Sequence, residues 1–241
     1  MSKTLRFAHL YPDLLNLYAD RGNIRTLVNR CRWRGVDVTV DEIPRGTSVD
    51  LDRYHFILLG GGLDREQELV GETLRAAKPE WKAAVEAGLP LLAVCGGYQL
   101  LGAFYQLPDG RKVPGLGLLD LVTVAEEPRL IGNIAIATDL AGIVMGFENH
   151  GGRTTHHHEP LGTVRKGHGN NGRDGQEGVL YKNVIGTYIH GPLLPKNPRL
   201  ADDVLARALE YAEIPAELTP LDDTVEEMAR QAFMTRRILA H

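Results

Sequence analysis

The run Leu91-Leu92-Ala93-Val94-Cys95-Gly96-Gly97-Tyr98-Gln99 is an apolar strand that ends on a cysteine and turns at once into a helix. Such an elbow exposes its side chain at the edge of a sheet and aims backbone N–H groups at it, which is how α/β hydrolases present a nucleophile. Small neighbours are needed at the crowded positions, and Ala93 and Gly97 supply them, while Gly96 lets its own N–H face a developing oxyanion. The helix N-terminus behind the thiol is expected to depress its pKa from the free value of about 8.5. A buried structural cysteine before a glycine turn is the plainer alternative. Cys31, on the apolar face of a helix, reads as core. A thiol nucleophile needs a base, and the best placed is His190 in Gly186-Thr187-Tyr188-Ile189-His190-Gly191, a second strand ending on a reactive side chain. Nine histidines compete for the role, and a strand-end histidine is often structural. The run His156-His157-His158 suggests metal, but adjacent residues cannot all face one ion on regular backbone and no zinc-like spacing accompanies it, so no metal site is expected. A backbone N–H of Gly60-Gly61-Gly62 is placed to be a second oxyanion donor. No phosphate-binding Gly-x-x-x-x-Gly-Lys-Ser/Thr pattern occurs, so ATP chemistry would have to lie on another chain.

The elements that must position these residues alternate. Leu5 to Leu10 reads as a strand, Asn23 to Arg34 as a helix with Ile24, Leu27, Val28 and Cys31 on one face, Val36 to Val40 as a strand, and Tyr54 to Leu59 as a buried parallel strand. Helices over Asp64 to Ala77 and Pro79 to Ala87 precede the strand Leu89 to Val94, and Tyr98 to Phe104 reads as the helix after the elbow. This pattern predicts an α/β fold whose mostly parallel sheet carries helices on both faces and builds its site at the strand carboxyl ends. After Gly117 the texture becomes strands, at Leu118 to Val124, Leu130 to Thr138, Ile143 to Phe147, Val179 to Lys182 and Val184 to Ile189, which predicts a mixed or antiparallel extension. Lys166 to Gly178 carries five glycines and reads as a mobile loop. Helices over Asn197 to Ala212 and Asp223 to Ala240 close the chain.

At 241 residues, with no repeat and no linker-like stretch, one domain spanning 1–241 is expected. Net charge is −4 and only 6% of residues are aromatic, which argues against nucleic acid as a partner. Two cysteines and an N-terminus without a signal-peptide pattern point to the cytoplasm, and the uncharged stretch Ala87 to Pro108 is too broken by glycine and proline to be a membrane span.

Taken together, Ala93 to Gln99, Gly60-Gly61-Gly62 and Tyr188-Ile189-His190-Gly191 resemble the class I glutamine amidotransferases, in their cobyric-acid-synthase-like branch. Longer strings, Leu15 to Asn23, Gly60 to Gln67, Gly146 to Thr154, Gly169-Asn170-Asn171 and His190 to Asn197, resemble the glutaminase subunits of lipid II isoglutaminyl synthases. The resemblance implies hydrolysis of L-glutamine to glutamate and ammonia, with Cys95 as nucleophile, His190 as general base and acid, and Gly61 and Gly96 as oxyanion donors. Arg129 matches the arginine implicated in glutamine binding, where a guanidinium can hold an α-carboxylate through two parallel hydrogen bonds, and Gln99 matches the elbow glutamine that contacts substrate. It also implies a heterodimer with a MurT-like, Mur-ligase-like partner. That partner uses ATP and Mg2+ to activate the α-carboxyl of D-glutamate in lipid II at the inner face of the membrane, and this subunit needs no cofactor of its own. Tyr11 to Asn23 and Asp223 to Ala240 are the expected contact surfaces. Two departures stand out: Pro192 replaces the glutamate common two residues after the histidine, leaving a Cys–His dyad, and Ala93 replaces a glycine. Other readings are an amidotransferase for another acceptor such as a cobyrinate-type carboxylate, a cysteine peptidase, or a non-catalytic binding module.

Overall fold

The computed structural model describes residues 4–16 and 20–239. Its first layer is a six-stranded sheet, built from β1 (Leu5–Leu10), β2 (Val38–Ile43), β3 (Phe56–Leu59) and β4 (Leu91–Val94) and completed by the late hairpin β11 (Val179–Tyr181) and β12 (Val184–Thr187). The strand order is β11-β12-β4-β3-β1-β2, parallel throughout except at β11. β3 and β4 are buried at every residue, as parallel strands covered on both faces must be. The covering helices are α1 (Arg21–Trp33), α2 (Asp64–Ala76), α3 (Lys78–Glu86) and, near the end of the chain, α5 (Pro198–Tyr211), whose Leu200, Val204, Leu205 and Leu209 lie on its buried face.

The second layer is a mixed sheet of β5 (Phe104–Gln106), β6 (Lys112–Pro114), β7 (Leu121–Thr138), β8 (Gly142–His156), β9 (Gly162–Lys166) and β10 (Gln176–Glu177). The hydrophobic core runs from the first sheet into this one through Leu121, Ile134, Ile136, Val144 and Leu161. The chain closes with α6 (Thr224–Phe233) and a π-helical turn over Met234–Ile238. Among the described residues no helix is long and apolar enough to cross a membrane.

Three expectations need correction. The helix read over Tyr98 to Phe104 is only α4 (Gly96–Leu100), and Phe104 already pairs with Val122 in the second sheet. Gly102 permits the break: a Cβ there would lie 2.2 Å from Leu121 Cδ1, so the bare backbone packs on Leu121 and turns into the sheet. The separate strands Leu118 to Val124 and Leu130 to Thr138 are one strand, β7, because pairing with β8 resumes at Leu130–His150 after a register shift beyond Ala125–Gly152. The glycine-rich stretch read as a mobile loop is pinned instead. Glu148 accepts the His168 and Gly169 N–H groups at 2.7 and 3.0 Å, Asn170 Oδ1 accepts the Gly178 N–H at 2.9 Å, and Thr154 donates its N–H to the Asn170 carbonyl at 2.9 Å.

Candidate active site

Cys95 stands between β4 and α4 with φ 51° and ψ −108°, a conformation that a residue with a Cβ adopts only when its surroundings enforce it. The enforcement is visible. Its N–H donates to the Thr187 carbonyl at the end of the adjacent parallel strand at 2.8 Å, and its own carbonyl accepts the Gln99 N–H at 3.0 Å. Gly97 has to be glycine, since a Cβ would come within 2.5 Å of the Leu59 carbonyl oxygen. His190 follows β12, the strand beside β4, and is fixed by a reciprocal backbone pair with Phe147 of β8 at 2.9 and 3.2 Å. Cys95 and His190 therefore come from the ends of neighbouring strands.

A cavity of about 300 Å³ opens at Cys95, lined also by Asp64, Gln67, Gln99, Arg129, Asn149 and His150. Gln99 is buried and donates from Nε2 to the Tyr188 hydroxyl at 3.1 Å, joining a chain of hydroxyls through Thr154 and Thr123. Arg129 lies in the irregular stretch of β7, where it reaches across to β8. Its Nε donates to Asn149 Oδ1 and its Nη2 to the Asn149 carbonyl, both at 3.0 Å. That commits one edge of the guanidinium to Asn149 and leaves the Nη1/Nη2 edge for an incoming carboxylate.

The electrostatics depart from the expected lowered thiol. Burial pushes Cys95 up to about 12, the Asp20 carboxylate pushes the same way, and a hydrogen bond from the Gly96 N–H only partly opposes them. With five residues, α4 cannot outweigh that desolvation. His190 moves down to about 4, chiefly by burial and then by the nearby His150, Lys196 and Arg129, against the hydrogen bond to the Asn149 backbone. At neutral pH both groups are thus uncharged, a thiol and a neutral imidazole.

Gly61 lies beside Cys95, since a Cβ there would lie 3.1 Å from Cys95 Cβ, and its N–H donates to Asp20 Oδ2 at 2.8 Å in this arrangement. Asp20 is completely buried and its carboxyl is raised to about 6, first by desolvation. The motif Leu15 to Asn23 contains it, although Leu17, Tyr18 and Ala19 lie outside the described residues. Asp20, Gln67, Asn149 and His150 were not singled out from sequence as site residues. All fall inside strings that resemble the amidotransferases, the signal that could have found them. His150 stacks on Tyr188 at 3.6 Å between centroids and its Nδ1 pairs with the Gly152 carbonyl at 2.8 Å. Cys31 is fully buried in α1, away from this cavity's lining.

In the histidine run, His156 Nε2 pairs with the Gly178 carbonyl at 3.0 Å and His158 Nε2 accepts the Asp120 N–H at 3.0 Å. Among the described residues no group of three or more His, Cys, Asp or Glu side chains is disposed to hold a metal ion.

Residues 6–198 match the CobB/CobQ-like glutamine amidotransferase domain. The chain is 45% identical over 232 residues to the lipid II isoglutaminyl synthase (glutamine-hydrolyzing) subunit GatD of Staphylococcus aureus strain N315, covering 96% of each chain. The corresponding GatD subunit of Streptococcus pneumoniae strain R6 is 40% identical over 210 residues, 86% of this chain and 81% of that one. A probable cobyric acid synthase of Methanoregula boonei is 33% identical over 180 residues, which is 69% of this chain but only 35% of the synthase.

Proposed function

The chain belongs to the CobB/CobQ-like glutamine amidotransferase family, and we propose that it is the glutamine-hydrolysing subunit of a lipid II isoglutaminyl synthase. The observation that carries this reading is the identity of 45% across 96% of both chains to a subunit of that name, with Cys95 at a strained elbow in a cavity that also presents Arg129.

The Nη1/Nη2 edge of Arg129 takes the α-carboxylate of glutamine, and Gln99 lines the path of its side chain to the thiol. His190 removes the Cys95 proton as Sγ bonds to the amide carbon, and the oxyanion accepts the Gly96 N–H. Gly61 adds a second donor once Asp20 releases its N–H. Protonated His190 then passes its proton to the amide nitrogen, the C–N bond breaks, and ammonia leaves a γ-glutamyl thioester on Cys95. Water, deprotonated by His190, attacks the thioester; Sγ departs with the proton and glutamate is released. With Pro192 where an acid would complete a triad, the Asn149 backbone orients the imidazole, and a thiol needs less assistance than a hydroxyl would.

Ammonia is useful only beside an activated acyl group. The acceptor is the α-carboxyl of D-glutamate in the lipid II stem peptide, activated with ATP and Mg2+ on a MurT-like subunit at the inner face of the cell membrane. Incubating the purified chain with L-glutamine tests the first half: glutamate release that disappears in Cys95→Ala supports the reading, and no release with or without the Mur-ligase-like partner overturns it.

A further inference from the structure

On the reading that glutamine is hydrolysed at Cys95, we propose that the side-chain oxygen of Gln67 accepts a hydrogen bond from the NH2 of the scissile amide and thereby distinguishes glutamine from glutamate. Gln67 sits in the first turn of α2, 3% exposed, and lines the cavity that Cys95 opens into. Its side chain packs against Gly96: a Cβ on that glycine would come within 2.8 Å of Gln67 Nε2 and 2.9 Å of its Cδ. Gly96 is the residue whose N–H reaches the Cys95 thiol, so the carboxamide lies beside the reacting end of the site.

The orientation of the amide is set by its surroundings. Nε2 donates to the Gly62 carbonyl at 3.4 Å, and a flipped amide would bring two carbonyl oxygens together. Oε1 is then buried with no hydrogen-bond partner among the described residues. An unpaired buried carbonyl oxygen costs about 1–3 kcal/mol unless something donates to it.

Glutamine supplies that donor. With its amide oxygen at the Gly96 N–H, its nitrogen carries two protons that only an acceptor can use, and ammonia remains a donor to the same oxygen as it leaves. Glutamate would set a carboxylate oxygen, an acceptor without a proton, against Oε1. Sites built to bond an N–H or O–H reject analogues that lack it far more strongly than apolar pockets reject a missing methylene. Gln67 thus favours substrate over product at the end of the molecule where the two differ.

The test compares glutamine KM with glutamate Ki in the wild-type chain and in Gln67→Met, which keeps the volume and removes the acceptor. KM should rise about ten-fold, the loss expected for one hydrogen bond, while Ki stays level or falls; a parallel rise in both would reveal a merely structural role and overturn the proposal. Should the variant misfold, the wild-type protein decides. L-glutamate γ-methyl ester, which has no N–H at the reacting carbon, should bind about ten-fold more weakly than L-glutamate γ-hydrazide, which keeps one, and equal binding overturns the assignment. A wild-type chain that neither binds nor hydrolyses glutamine would bring down the glutaminase reading and this inference with it, whereas hydrolysis without discrimination against the ester removes Gln67 alone.

Discussion

Burial penalises the charged forms of both Cys95 and His190, so the proposed mechanism has the thiolate–imidazolium pair form within the reacting complex. Cys95→Ala should therefore lower glutamate release at least about 10³-fold with the thermal midpoint held, and His190→Ala should cost about 10²–10⁴ in kcat with a smaller change in KM. Arg129→Lys should raise KM for glutamine about ten-fold or more, since an ammonium replaces a planar fork by a point charge and loses one charge-assisted bond. Asp20 gives a pH signature. The groups acting on the thiol are Asp20 and Asp64, which raise its pKa, and Arg129, which lowers it. Asp20→Asn keeps an acceptor for the Gly61 N–H and removes the charge, so the rising limb of kcat/KM should move to lower pH. Asp20 itself protonates near pH 6, so wild type and variant should converge below that point. Curves that coincide above pH 7 would show that Asp20 does not act on the thiol. Cys95 and His190 were legible in sequence as candidates because each ends an apolar run and meets glycine, and the structure sets them at the ends of neighbouring strands. The Asp20–Gly61 contact was not, for it joins residues 41 positions apart and depends on Asp20, just before α1, meeting the loop that follows β3.

At the scale of elements, the alternation of apolar runs with glycine exits made the parallel sheet and its helices readable to within a few residues. The second sheet was harder to read, because β7 carries the polar stretch Glu126–Arg129 through its bulge, and a strand that bends there looks like two strands and a loop. Nor does hydrophobic periodicity reveal which polar side chains pin a glycine-rich segment, since Glu148, Asn170 and Glu177 are buried acceptors rather than surface groups. Glu177 ties β10 to the end of β12 by accepting the Tyr188 N–H at 2.7 Å and the Thr187 hydroxyl at 3.1 Å. Desolvation raises its carboxyl to about 8. A carboxyl raised on folding contributes stability below the unfolded value and loses it as pH climbs through the folded one. The thermal midpoint should accordingly fall between pH 5 and 9, and Glu177→Gln should flatten that slope, the effect being a few kcal/mol at most. The helical layer has its own anchor: Arg30 of α1, 2% exposed, holds Asp202 of α5 and Asp223 before α6, each at 2.6 Å. Arg30→Leu should cost about 3 kcal/mol in chemical denaturation by leaving two partly buried carboxylates unpaired.

On the scale of the whole molecule, the proposed function has the cavity at Cys95 generate ammonia for an acyl phosphate or equivalent made on another subunit. The C-terminal stretch expected as a contact surface exposes Val225 and Met228 on α6, while Ala240 lies outside the described residues. Tyr11 is buried, so the N-terminal candidate offers less of its surface than its motif density suggested. The most direct test of the division of labour uses the complex of this chain carrying Cys95→Ala with a Mur-ligase-like partner, supplied with lipid II, ATP and Mg2+. It should amidate lipid II with a high concentration of ammonium and fail with glutamine; amidation from glutamine, or none from either nitrogen source, would contradict the account.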